Sequence, residues 1–225
     1  DRGIRIRRDV GVTFELAPQL RVGCLTYVQR LFGRGIHMIV MQSLTILSTI
    51  LIPGLLFIVM LKRDWLPALR TPIDRGVLLG GKAILGPTKT WLGVVVYTLG
   101  GGILGALWGI PFAAGWSNLS GYVAPMFDSP LAAVNGATIG FCYAVAELIN
   151  SFAKRRLGIA PSAEVTGTWR ILQRVIDLGD GILAVAILLL IWRLDVALIL
   201  ISVVLGLTVH ALTDVLMHRI RLKHR

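Results

Sequence analysis

Between His37 and Leu61 the chain carries no Asp, Glu, Lys or Arg. A helix needs ~20 apolar residues to cross the ~30 Å hydrocarbon core of a bilayer, and this run supplies them. Four further runs follow, at about Trp91–Trp108, Leu131–Phe152, Ile171–Trp192 and Val196–Met217. Hydrophobic residues make up 55% of the 225 residues and the mean hydropathy is +0.76. A soluble domain of this size cannot hide that much apolar surface. The expected fold class is therefore an all-α integral membrane protein with about five transmembrane helices and two basic connections. Pro53-Gly54 is expected to kink or loosen the first helix.

Charge lies between the spans. The first connection holds Lys62, Arg63, Arg70, Arg75, Lys82 and Lys89, and the third holds Lys154, Arg155, Arg156, Arg170 and Arg174. The second holds no cation and the fourth only Arg193. The positive-inside rule then puts the basic connections and the C-terminus in the cytosol, in a multi-pass protein of the cell membrane. The net charge of +11 is thus explained by basic loops. No nucleic-acid module is legible, and none is expected as a partner. Cys24 and Cys142 form neither a disulfide framework nor a zinc pattern. Seven arginines precede His37, on the side the rule leaves poor in cations. The chain does not begin with Met, and Met38 and Met41 stand where the first span begins. Residues 1–36 are therefore expected to be a basic arm foreign to the fold, and residues 37–225 the working domain. An arm lying on anionic lipid is the other reading.

Ionisable residues inside the spans are the strongest pointer to function. A carboxylate facing lipid costs roughly 2.5–3.5 kcal/mol even on lenient scales. Glu147, Ser151 and Lys154 are spaced i, i+4, i+7 and share a helix face. Asp177 and Asp180, i and i+3 on the next span, share another. Three carboxylates at one depth repel unless a cation holds them. Lys154 and Arg155 can do this as ion pairs. So can magnesium, which favours one or two carboxylates plus substrate phosphates. A buried ion-pair network that merely locks helices uses the same residues.

A second constellation is "GGKAILGPTKTWLG". Gly80, Gly81 and Gly86 loosen the backbone, Lys82 and Lys89 bring charge, and Thr90 brings a hydroxyl at a helix start. Such a loop makes an anion site. It lacks the spacing of a nucleotide-binding P-loop, and an ordinary linker has the same composition. A phosphate substrate bridged by metal would join the two constellations. None of the four histidines lies in either one. His210 and Asp214, at i and i+4, read as a structural pair.

The segments "TPIDRG", "GPTKTWLG", "AELINSFAKRR" and "DLGD" resemble, in order and spacing, those of the integral-membrane CTP-dependent cytidylyltransferases. The resemblance is greatest to the CDP-archaeol synthase branch, which is similar to the CDP-diacylglycerol synthases. It covers roughly residue 51 to the C-terminus. It implies an enzyme making a CDP-lipid and pyrophosphate from CTP and a membrane lipid phosphate, for phospholipid biosynthesis. On that implication Lys89, Lys154, Asp177 and Asp180 are catalytic. Asp74, Lys82, Thr90, Gly93, Ser151, Arg155 and Arg156 bind substrate, and Glu147, Asp177 and Asp180 hold Mg2+. Glu147 stands where the family has aspartate, and Pro87 where it has a polar or acidic residue. The lipid backbone is archaeol, diacylglycerol or another isoprenoid. A non-catalytic carrier or scaffold for anionic lipid is the competing class. An oligomer is compatible with either.

Overall fold

The computed structural model describes residues 35–160 and 169–219. The chain divides into two compact units, Asp1–Ile36 and His37–Arg225. The basic arm expected over residues 1–36 lies almost wholly outside the described residues, as do residues 161–168 and the basic tail.

The described residues form five long helices: α1 (Gly35–Lys62), α2 (Trp91–Trp108), α5 (Ala132–Arg156), α6 (Trp169–Ile191) and α7 (Val196–Arg219). Two single-turn helices, α3 (Ile110–Ala113) and α4 (Ser117–Ser120), lie between α2 and α5. Pro67–Arg70 forms a 3-10 turn, and the strands β1 (Leu78–Leu79) and β2 (Lys82–Ala83) make a small antiparallel hairpin. Gly35–Lys62, Trp91–Ala113, Ala132–Arg156 and Val196–Thr213 are long and apolar enough to cross a membrane by themselves. The first half of α6 carries Arg170, Arg174, Asp177 and Asp180. The molecule is an all-α multi-pass membrane protein.

Close approach of backbones sets the centre of the bundle. The most extensive helix contact is α2 on α5, with α6 packed on α5 and α7 on α6. A Cβ added at Gly136 of α5 would lie 2.8 Å from Gly105 Cα of α2. Glycine on both faces is what lets these backbones touch where no apolar solvent effect drives helices together. Pro53 sits inside an unbroken α1, its ring filling the space left by Gly100, where a Cβ would be 2.7 Å from Pro53 Cγ.

One end of the bundle is closed by the cation-free connection. Gln42 Nε2 donates to the Gly121 carbonyl at 2.9 Å, and Thr45 Oγ1 accepts the Ala124 N–H at 3.1 Å. Ala124 and Phe127 are fully buried there. The connection is turn-rich and free of cations, yet Val123, Ala124, Met126 and Phe127 within it are buried.

Candidate active site

The opposite, basic end carries the site. Its roof is the connection between α1 and α2, and Asp74 organises it. The Asp74 carboxylate accepts the N–H groups of Leu85 and Gly86 at 2.8 Å and of Gly76 at 3.1 Å. Burial opposes its ionisation, but the N–H groups of Gly86, Leu85 and Gly76 outweigh burial and hold the carboxyl below the usual carboxylate range. Gly80 and Gly81 adopt φ of 60° and 73°. They supply the hairpin turn, a backbone shape that L-residues resist.

The end of α5 fastens this roof. Arg156 donates to the carbonyls of Leu79 and Ala83 at 2.6 Å and of Lys82 at 3.1 Å, and lies over the Phe152 ring. Lys82 Nζ donates back to the Arg156 carbonyl at 3.1 Å. Arg155 is buried and donates to the carbonyls of Leu85 and Ile159. Arg155 is thus no ion-pair partner of the acids among the described residues. Its planar fork reaches backbone oxygens in the adjoining loop first. Asp74, Lys82, Arg155 and Arg156 act together as a clamp.

Beneath the clamp lie two ion pairs. Lys89 Nζ meets Glu147 Oε2 at 2.9 Å, and Lys154 pairs with Asp177. Asn150 Nδ2 donates to Asp177 Oδ1 at 2.9 Å and to Asp180 Oδ2 at 2.7 Å, so one amide spans both carboxylates. Asp180 also accepts the Gly181 N–H at 2.6 Å. Ser151 is buried on α5. Thr90 precedes α2, and its Oγ1 is buried without a hydrogen-bond partner among the described residues. Gly93 packs toward Phe57. Asn150 is the residue that sequence reasoning passed over. Its i+3 offset from Glu147 was the signal, and on a helix that offset shares a face.

Among the described residues no three His, Cys, Asp or Glu side chains gather closely enough to enclose a metal. Asp177 and Asp180 alone are two hard oxygen donors held side by side, the set magnesium uses when phosphates complete its shell. That pair fits magnesium; a protein-only cage does not form.

Glu147 also borders a cavity of about 320 Å³ lined by residues of α1, α2, α5, α6 and α7. His210 lines it too. The side chain of Asp214, its expected partner, lies outside the described residues.

Residues 68–225 match the family described as CarS-like, CDP-archaeol synthase. A relative from Hyperthermus butylicus named CDP-archaeol synthase is 31% identical over 154 residues, covering 68% of this chain and 79% of that protein. No solved structure matches. The matched region spans the roof, the clamp and every paired charge beneath it, and the chain belongs to the CDP-archaeol synthase family.

Proposed function

We propose that the chain is a membrane cytidylyltransferase that joins CTP to a lipid phosphate of the archaetidic or phosphatidic acid type. The products are a CDP-lipid and pyrophosphate. The observation that carries the reading is the charge cluster beneath the clamp, where Asn150 holds Asp177 and Asp180 together beside Lys154. Family membership agrees with it.

A lipid phosphate oxygen attacks the α-phosphorus of CTP, and the bond to the β-phosphate breaks to release pyrophosphate. With a second pKa near ~6 the phosphomonoester is already a dianion at neutral pH, so no general base is required. The obstacle is repulsion between two anions. Lys89 and Lys154 lower it by lying beside the phosphates, and Thr90 offers its unpartnered hydroxyl to the same group. Asp177 and Asp180 would hold magnesium, with Glu147 the third acid nearby. Magnesium held there would supply positive charge against the phosphates. The basic end faces the cytosol, where CTP is available, and the lipid arrives sideways from the bilayer.

The test is purified protein with labelled CTP, magnesium and a panel of ether and ester lipid phosphates. Equal amounts of CDP-lipid and pyrophosphate are expected. Asp180→Asn should abolish turnover and keep the melting temperature within a few degrees, since the amide is nearly isosteric, its one oxygen keeps one of the two hydrogen bonds from Asn150 and Gly181, and repulsion with Asp177 is relieved. Binding of anionic lipid without product from any member of the panel makes the chain a carrier or scaffold instead.

A further inference from the structure

We infer that the hairpin of β1 and β2 dips into the bilayer surface at the basic end of the molecule, where its apolar side chains meet anionic lipid. This contact is independent of the reaction the site performs. Every residue from Arg75 to Lys82 is exposed. Val77, Leu78 and Leu79 among them are large and apolar, and Leu78 is 62% exposed. A Cβ added at Gly80 or Gly81 would meet nothing within 4 Å, so the tip of the hairpin projects into open space. Lipid accounts for the apolar side chains exposed on the spanning helices, but these three lie outside every such helix. A clustered apolar patch of this kind marks an interaction surface.

The side of α5 that carries the hairpin identifies the partner. Arg156 holds the carbonyls of Leu79, Lys82 and Ala83. About two and a half helical turns separate it from Glu147, so Arg156 stands on the opposite side of α5 from the charge cluster. Val134, Phe141, Ile149 and Phe152 recur along that same side and are all exposed. Helix α5 is long and apolar enough to cross the membrane, so this stripe is its lipid-facing side. The Arg156 guanidinium lies over the Phe152 ring at the end of the stripe, and the hairpin rests there. Trp65, just past α1, and Trp91, the first residue of α2, are half-exposed at the same end. Tryptophan favours the membrane–water boundary.

Hydrogen bonding and charge fit that place. Backbone carbonyls that leave water need donors from the protein, and Arg156 supplies them to the hairpin. Arg75 and Lys82 flank the apolar residues. Long basic side chains lay their stems along apolar surface and keep their heads among polar groups. Beside a membrane they draw anionic lipid. A second copy of the chain, pairing hairpin to hairpin, is the competing occupant. It would set Arg75 and Lys82 against their own like charges.

The test places one fluorophore on Leu78→Cys, with Cys24 and Cys142 replaced by Ala. The full chain sits in vesicles of phosphatidylcholine and phosphatidylglycerol, and labelled protein that melts like wild type is used throughout. Acrylamide is a neutral quencher in the water. It is expected to quench the label about threefold less than it quenches the free dye–cysteine adduct, as for a group sunk below the headgroups. Lipids with a nitroxide near the headgroup should quench it more than lipids with a nitroxide at the chain end. Leu99→Cys, 61% exposed midway along α2, is the deep control and should show the reverse order. Full acrylamide quenching, with none by either lipid, overturns the inference, since the patch then faces water. Self-quenching that unlabelled protein dilutes away also overturns it and gives the patch to a second copy. In phosphatidylcholine alone, acrylamide access is expected to rise about twofold as Arg75 and Lys82 lose their anionic partners. Unchanged access overturns the assignment to anionic lipid.

Discussion

Asn150 gives one amide hydrogen to Asp177 and the other to Asp180. Without that donor the two carboxylates repel across the gap, and their oxygens lose a fixed spacing. Asn150→Ala is expected to lower turnover about 10–100-fold, the usual size of a change behind metal ligands. If Asp177 and Asp180 hold magnesium as proposed, the magnesium dependence should move to higher concentration, while Asn150→Gln recovers part of the loss. A magnesium titration of thermal stability without substrate checks this independently of turnover. An unmoved titration in Asn150→Ala would falsify the positioning role. Asp74 works differently, through backbone. Asp74→Ala leaves three loop N–H groups without their acceptor and is expected to destabilise by about 1–3 kcal/mol. Its carboxyl titrates below the usual range in the fold, and near ~3.9 in the unfolded chain. The ionised group therefore stabilises fully above that unfolded value, and the benefit fades as pH falls through the folded pKa. Melting curves of wild type and Asp74→Ala should differ most at neutral pH and converge below about pH 4.

Helices α2 and α5 meet through glycine, and the site depends on that contact. Lys89 precedes α2 and Glu147 lies on α5, so any widening separates their ion pair. Gly136→Val would drive a side chain into Gly101 and Gly105. It is expected to destabilise by about 1–3 kcal/mol or more, the common size of overpacking. Melting temperature in detergent measures this. Gly115→Ala is the control for backbone strain alone, since its φ is 69° yet open space surrounds it. A smaller loss at Gly136 than at Gly115 would argue against the close-contact account.

At the scale of the molecule the two ends differ in kind. The basic end is a clamp of arginine on carbonyls; the other is a cation-free connection that buries Val123, Ala124, Met126 and Phe127. The proposed orientation places the clamp in the cytosol. With Cys24 and Cys142 replaced by Ala, Arg63→Cys and Ala114→Cys put single thiols at exposed positions near opposite ends. A membrane-impermeant thiol reagent applied outside intact cells is expected to label position 114 and spare position 63. The reverse pattern would turn the molecule over and remove the active site from CTP.

Hydropathy alone located the five long helices to within a few residues, because a bilayer accepts few backbone solutions and a long apolar run selects one of them. Residue spacing likewise put Glu147 with Lys154, and Asp177 with Asp180, on shared faces. Sequence could not decide which cation meets which acid. Lys89 lies 58 positions from Glu147, and its pairing exists only because α2 and α5 touch. Nor could it show which loop carbonyls the arginines at the end of α5 meet. Arg156 takes the carbonyls of Leu79, Lys82 and Ala83 because the hairpin folds back onto the end of α5, a contact made more than 70 residues apart. The cavity was equally illegible, since its walls come from five helices and its volume is whatever their packing leaves unfilled. Local pattern determines the element. Nonlocal packing determines which polar groups spend their hydrogen bonds on the fold and which remain for a substrate.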